Sequence, residues 1–197
     1  MSKAYFIPLS KDNSFSVIHG KRSYSKAGWS LKSIINFFEL LHSPFISARL
    51  FQNRYFQSRL IILKELKKVD FNLSDIKISI SHNKNYFIAL VSKKDMKIAV
   101  DHEHNDRHIS SALVNKISKI NKPNSLSSLG FINLLETLVK ITNNKWYSLM
   151  EDAQVREIFG LKDTYITNLD KETIYSRFYS YNDNYICISA DKLEMLK

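Results

Sequence analysis

The sequence predicts an α+β fold of two similar lobes joined near residues 92–100, each a small sheet packed with helices. Three observations carry this. Runs of alternating polarity occur in both halves, with helical spacing between them, giving the order strand, helices, strands, helices, strands. Hydrophobic residues make up 44 % of the chain and aromatics 12 %, enough for a packed core at 197 residues. With four glycines and three prolines there is no low-complexity linker, and no repeat is visible.

AYFIPLS (4–10) reads as a first strand. WSLKSIINFFELLHS (29–43) has helical spacing, with Ser30 as N-cap and Pro44 as stop. Residues 45–68 are mostly apolar and predict one long helix or a pair. Strands follow at about 76–82, 86–93 and 97–103, then a helix over 105–120. Pro123 lies in a loop, and Ser127 or Ser128 caps a helix over 129–142. WYSLMEDAQVREIFG (146–160) predicts a further helix ended by Gly160. The tail 164–191 alternates through TYITNL, TIYSRFYSY and YICISA as a meander would. Residues 1–95 form the first expected lobe and 96–197 the second.

The net charge of +10 is uneven: residues 1–100 hold 17 Lys and Arg against 6 Asp and Glu, and residues 101–197 hold 12 against 13. A basic first half suits a polyanionic ligand or nucleic acid equally. No apolar stretch is long enough to span a membrane and the amino terminus has no signal-peptide core, so a cytoplasmic protein without membrane contact is expected. The single cysteine, Cys187, forms no internal disulfide and lies in a strand-like run, which predicts burial rather than nucleophilic work.

The chemistry concentrates in KIAVDHEH and LLETLVK. Residues i and i+2 of a strand share a face, so Asp101 and Glu103 present two carboxylates side by side. Like charges that close raise each other's pKa unless a cation intervenes. Glu136 and Lys140 are four apart and share a helix face with Asn133, Thr137 and Asn144. Read alone, that polar stripe is a solvent face. Three carboxylates and a lysine are also what a Mg²⁺-dependent reaction on a phosphate ester needs. His102 points away from its acidic neighbours, and His102 and His104 lack partners at zinc-ligand spacing. Arg49, Arg54 and Arg59 step by five residues, about 140° on a helix, and so line no single nucleic-acid-binding stripe.

SISHN, FIALVS, IAVDHE and a helix carrying E-x-x-x-K, in that order, resemble the 4′-phosphopantetheinyl transferases of the surfactin-synthetase-activating type. Ser79, Ser81, His82, Asp101, Glu103, Glu136 and Lys140 match that family's pattern, over residues 77–141. Ala99, Ile132, Leu135 and Thr137 stand where the pattern has glycine, an aromatic residue, lysine and alanine, and the G-K-P segment before the S-x-S-H strand is missing. The resemblance implies a pseudo-twofold pair of lobes with the site between them, and turns the polar helix stripe toward a cleft. It implies transfer of 4′-phosphopantetheine from coenzyme A to a serine of an acyl or peptidyl carrier protein. Asp101, Glu103 and Glu136 would hold Mg²⁺, with Glu136 as base and Lys140 supporting the departing 3′,5′-ADP. His82, Ser81, Arg54 and Arg59, with Lys21 and Arg22 in the loop HGKRSYSK, would bind coenzyme A. An acidic carrier protein is the expected partner of a monomer at +10. Leu135 removes a cation beside a metal carboxylate, which leaves a non-catalytic homologue binding carrier protein or coenzyme A as one alternative. A basic nucleic-acid-binding module is the other.

Overall fold

The computed structural model describes residues 4–8, 15–21, 58–59, 61–62, 65–66, 76–83, 86–93, 95–120, 122–181 and 183–196. Among the described residues, nine strands form two antiparallel sheets. The first contains β1 (Ala4–Pro8), β2 (Phe15–Lys21), β3 (Ile76–His82) and β4 (Tyr86–Lys93), in the order β1-β2-β4-β3. The second contains β5 (Ile98–His104), β6 (Gln154–Glu157), β7 (Thr164–Leu169), β8 (Glu172–Tyr181) and β9 (Asn184–Ala190), in the order β5-β9-β8-β7-β6. Between β5 and β6 run α1 (Ser111–Ile117), α2 (Ser128–Thr142) and α3 (Trp146–Asp152). A 3₁₀ turn, Leu193–Leu196, follows β9.

Strand alternation sorts the side chains into layers. On β4, Phe87, Ala89 and Val91 pack with Ile18 against Ile62 and Leu66, which are helical. The intervening Ile88 and Leu90 turn to the opposite face. There they meet Val17 and, from the second sheet, Ile98, Val100, Ile186, Ile188 and Ala190. The other face of the second sheet carries Ile174, Phe178 and Cys187 against Phe131, Leu134, Leu135 and Leu138 of α2. The second sheet is thus covered by the first sheet on one face and by α2 on the other.

Several expectations change. The segment HGKRSYSK is not wholly loop: Lys21 closes β2, a strand that the mixed run FSVIHGK does not announce. The helix expected over 105–120 is confined to Ser111–Ile117, because Ser110 accepts a hydrogen bond from Leu113 N and caps it there. The helix expected over 146–160 ends at Asp152; Gln154–Glu157 instead pairs with β7, Val155 opposite Thr167. Gly160 adopts φ 80° in the β6–β7 connection, a left-handed turn rather than a helix cap. Helix α2 begins and ends on local signals: Ser127 Oγ accepts from Gly130 N, and Asn143 at φ 59° closes it. The helix expected over 29–43 lies outside the described residues, as does most of 45–68.

Candidate functional site

The site forms where two sheet edges meet. β3 is the last strand of the first sheet and β5 the first of the second. A bare sheet edge leaves backbone groups unpaired. Here Ser79 and Ser81 on β3 meet that need. Ser79 Oγ accepts from Val100 N at 3.1 Å, and Ser81 Oγ accepts from His102 N at 3.2 Å. The two serines splice the sheets through side chains in place of a backbone ladder. A second tie closes one end of this seam: Asn83 Nδ2 donates to Asn184 Oδ1, while Asn83 Oδ1 accepts from Tyr86 N at 2.8 Å.

Asp101 sits on this seam and is 6 % exposed. Its Oδ1 accepts from Ser81 Oγ at 2.8 Å and from Lys140 Nζ at 2.8 Å, and Lys140 Nζ also donates to Val100 O at 2.8 Å. Three separate sequence pieces, the S-x-S-H strand, the D-x-E strand and the E-x-x-x-K helix, therefore converge on one carboxylate oxygen. The other, Asp101 Oδ2, is buried and has no hydrogen-bond donor among the described residues. A buried polar atom in that state is costly unless something else meets it.

Two further carboxylates share this field. Burial pushes the Glu103 carboxyl above its ordinary range; Asp101 and Glu136 add to the rise, and the Arg107 guanidinium opposes it. Burial likewise raises Glu136, with Asp101 adding and Lys140 and Arg107 opposing. Arg107, four residues beyond Glu103, forms an ion pair with it that the sequence reading did not single out. Lys140 turns its ammonium to Asp101, across to the strand, in place of the i,i+4 partner on its own helix.

The polar stripe of α2 is only partly a solvent face: Asn144 and Lys140 are exposed and Glu136 is half-buried. Asn133 and Thr137 are fully buried: Asn133 Nδ2 donates to Tyr185 O at 2.8 Å, and Thr137 Oγ1 lies 2.6 Å from Ser189 Oγ, which is 2.7 Å from Ser176 Oγ. This hydroxyl ladder fixes the roll of α2 on β9, and Glu136 and Lys140 are thereby held toward β5. Cys187 is buried beside it, and burial pushes its thiol up to about 12, which leaves it no nucleophilic role near neutral pH. Leu135, where the resemblance has lysine, is fully buried in the core under α2, and Ile132 and Ala99 are buried too.

On the coenzyme A side the structure describes fewer of the expected residues. His82 Nε2 shares a hydrogen bond of 2.7 Å with Ser58 Oγ. Arg59 is half-buried, its Nε has no hydrogen-bond partner among the described residues, and desolvation lowers its pKa. The side chain of Lys21, and Arg22 and Arg54 altogether, lie outside the described residues.

The donors suit a hard cation: all are carboxylate oxygens, one is buried without a donor, and two are raised by burial and mutual repulsion. As the side chains stand, no three His, Cys, Asp or Glu converge as a ligand group among the described residues. Lys140 and Arg107 hold two of the carboxylates instead. No helix among the described residues is long and apolar enough to cross a membrane. The sequence matches no protein-family model and no curated protein.

Proposed function

We propose that this chain transfers 4′-phosphopantetheine from coenzyme A to a serine of an acyl or peptidyl carrier protein. The observation that carries the reading is the convergence of Ser81 and Lys140 on Asp101 Oδ1, with Oδ2 left buried and the Asp101 charge felt by both Glu103 and Glu136. These are the pieces that the resemblance assigns to one site, and they come from β3, β5 and α2. The layering supports it as well. Each sheet carries its helical residues on the face turned away from the other sheet, as a pseudo-twofold pair of lobes requires.

In this reading Asp101, through Oδ2, with Glu103 and Glu136 would hold Mg²⁺. When bound, the cation neutralises diphosphate charge and improves the leaving group. The carrier serine Oγ attacks the phosphorus of the pantetheine phosphate. The P–O bond to 3′,5′-ADP breaks, and the serine proton passes to Glu136. Lys140 lies at the seam as a positive charge, placed to offset charge that develops on the departing 3′,5′-ADP. His82, with Ser58, would orient coenzyme A from β3. The excess of basic residues in the first half favours an acidic carrier protein and a polyanionic cofactor.

One observation favours a second reading. Arg107 on Glu103 and Lys140 on Asp101 already pair with two of the carboxylates. A homologue that binds coenzyme A or carrier protein without transfer would show such internal pairs. Intact-mass spectrometry of apo carrier proteins with coenzyme A and Mg²⁺ separates the two. Transfer predicts the mass gain of one phosphopantetheine arm, abolished by Asp101→Ala or EDTA. Binding of coenzyme A or of a carrier protein with no gain across several carriers selects the second reading, and binding of neither overturns both.

A further inference from the structure

We propose that Ser81 is a positioning residue that aims Asp101 across the seam between the sheets, in place of the cofactor contact that the resemblance implies for it. A serine hydroxyl has one proton to donate and two lone pairs. The Ser81 proton goes to Asp101 Oδ1 at 2.8 Å, and a lone pair accepts the His102 N–H at 3.2 Å. Ser81 is 5 % exposed. A phosphate oxygen needs a donor, and Ser81 has none left to give.

The pairing has a directional result. Ser81 approaches Asp101 from the first sheet and Lys140 from α2, and both end on the same oxygen. With Oδ1 doubly bonded, the carboxylate cannot rotate without breaking two hydrogen bonds, so Oδ2 is fixed as the oxygen left for a cation. Ser79 makes the comparison internal to the motif. It accepts from Val100 N in the same way at 3.1 Å, but among the described residues no bond from it to a carboxylate accompanies that contact. One serine of S-x-S-H splices the sheets; the other both splices and aims. This role rests on the transferase reading only for what a cation at Oδ2 would meet.

The test uses Mn²⁺ alone, read by electron paramagnetic resonance, with amide hydrogen exchange and metal-free coenzyme A binding beside it. Ser81→Ala should speed exchange at the His102 amide and weaken Mn²⁺ about tenfold or more, the usual cost of removing a partner that orients a ligand. Coenzyme A binding without metal should stay at the native value. Ser81→Thr, which keeps the hydroxyl, should restore Mn²⁺ binding. Ser79→Ala should speed exchange at Val100 with Mn²⁺ affinity within about twofold of native. Should Ser81→Ala fail to fold, Ser81→Cys keeps nearly the same volume with a weak donor, and should weaken Mn²⁺ likewise. Native Mn²⁺ affinity in the Ser81 variants together with weakened metal-free coenzyme A binding would overturn the role and restore a direct phosphate contact. A native chain that binds no Mn²⁺ also overturns it. A native chain that binds Mn²⁺ but not coenzyme A sinks the transferase reading and leaves the positioning role standing.

Discussion

The second sheet has two faces built from the same strands, and they differ in what they bury. Toward the first sheet, Ile98, Val100, Ile186, Ile188 and Ala190 meet Val17, Ile88 and Leu90, aliphatic against aliphatic. Toward α2, the alternate residues include Asp101, which meets Lys140, and Ser189, which meets Thr137 and, on the next strand, Ser176. Hydrophobic burial alone would hold either face, at roughly 25 cal/mol per Å² of apolar area. A polar strip running through the α2 face therefore gains little stability over aliphatic side chains of the same volume, since hydrogen bonds mostly replace those lost to water. What it gains is orientation: it fixes the roll of α2 and delivers Lys140 and Glu136 to β5. Stability and site chemistry thus occupy adjacent strips of one interface, and substitutions should separate them.

The largest expected effect breaks the apolar strip. Leu135→Lys restores the residue that the resemblance has at this position, but Leu135 is fully buried among Leu134, Leu138 and Phe131. An ammonium there has no water and no partner, so the variant should lose about 3 kcal/mol or more in urea denaturation. It should not gain activity. A stable Leu135→Lys variant with faster transfer would show that α2 can roll to present this position to the site, and the separation of the two strips would fail.

The α2 strip also shows what the sequence could reveal. Ser127, Asn143 and the apolar run between them are local signals, and the helix falls within a residue of where they place it. The Asp101–Glu103 strand was legible for the same reason, since alternation is read from neighbours. The partners were not. Ser81 reaches a residue 20 positions on, Thr137 one 52 positions on, and no spacing rule spans such gaps. Lys140 was legible as the i,i+4 neighbour of Glu136, yet it turns to Asp101, a more buried carboxylate on another element. The segment Gln154–Glu157 failed in the same way: its helical continuation is overridden by a ladder to β7, formed by residues some ten positions later. Arg107 had a local signal, four residues after Glu103, but β5 ends between them and helical spacing gave no reason to join them.

A smaller effect compares two lysines, one bonded to the middle of the site strand and one just before its start. Lys140 pairs with a buried carboxylate, its own side chain 31 % exposed. Lys97, just before β5, pairs with Glu172 and is 49 % exposed. Lys140→Met should leave Asp101 a buried, less compensated charge and cost about 1–2 kcal/mol, below the fully buried case because solvent still reaches the ammonium. Adding Asp101→Asn should recover part of the loss. Lys97→Met should cost no more than about 0.5 kcal/mol, as surface pairs do. Equal costs for the two lysines, in urea midpoints, would remove the distinction between a site pair and a surface pair.

The smallest effect is one of sign, and it bears most directly on why the polar strip is there. Glu103 and Glu136 are both raised in the folded chain, so each binds its proton more tightly folded than unfolded. Above the raised values both are ionised and the cost of burying them together is fully present. As the pH falls through those values the folded chain takes up protons first and that cost disappears, which stabilises it toward the ordinary carboxylate range. Glu136→Gln removes one of the two charges. It should therefore raise the urea midpoint over the native chain at neutral pH, with the advantage shrinking toward a pH of about 4.5. Mg²⁺ should raise the native midpoint at neutral pH and do less for Glu136→Gln, because a bound cation relieves the same repulsion. If Glu136→Gln instead destabilises the chain at neutral pH, Glu136 is a structural partner of Lys140 and Arg107. The acidic strip would then be part of the fold's own electrostatic balance, and the difference between the two faces would be one of composition alone.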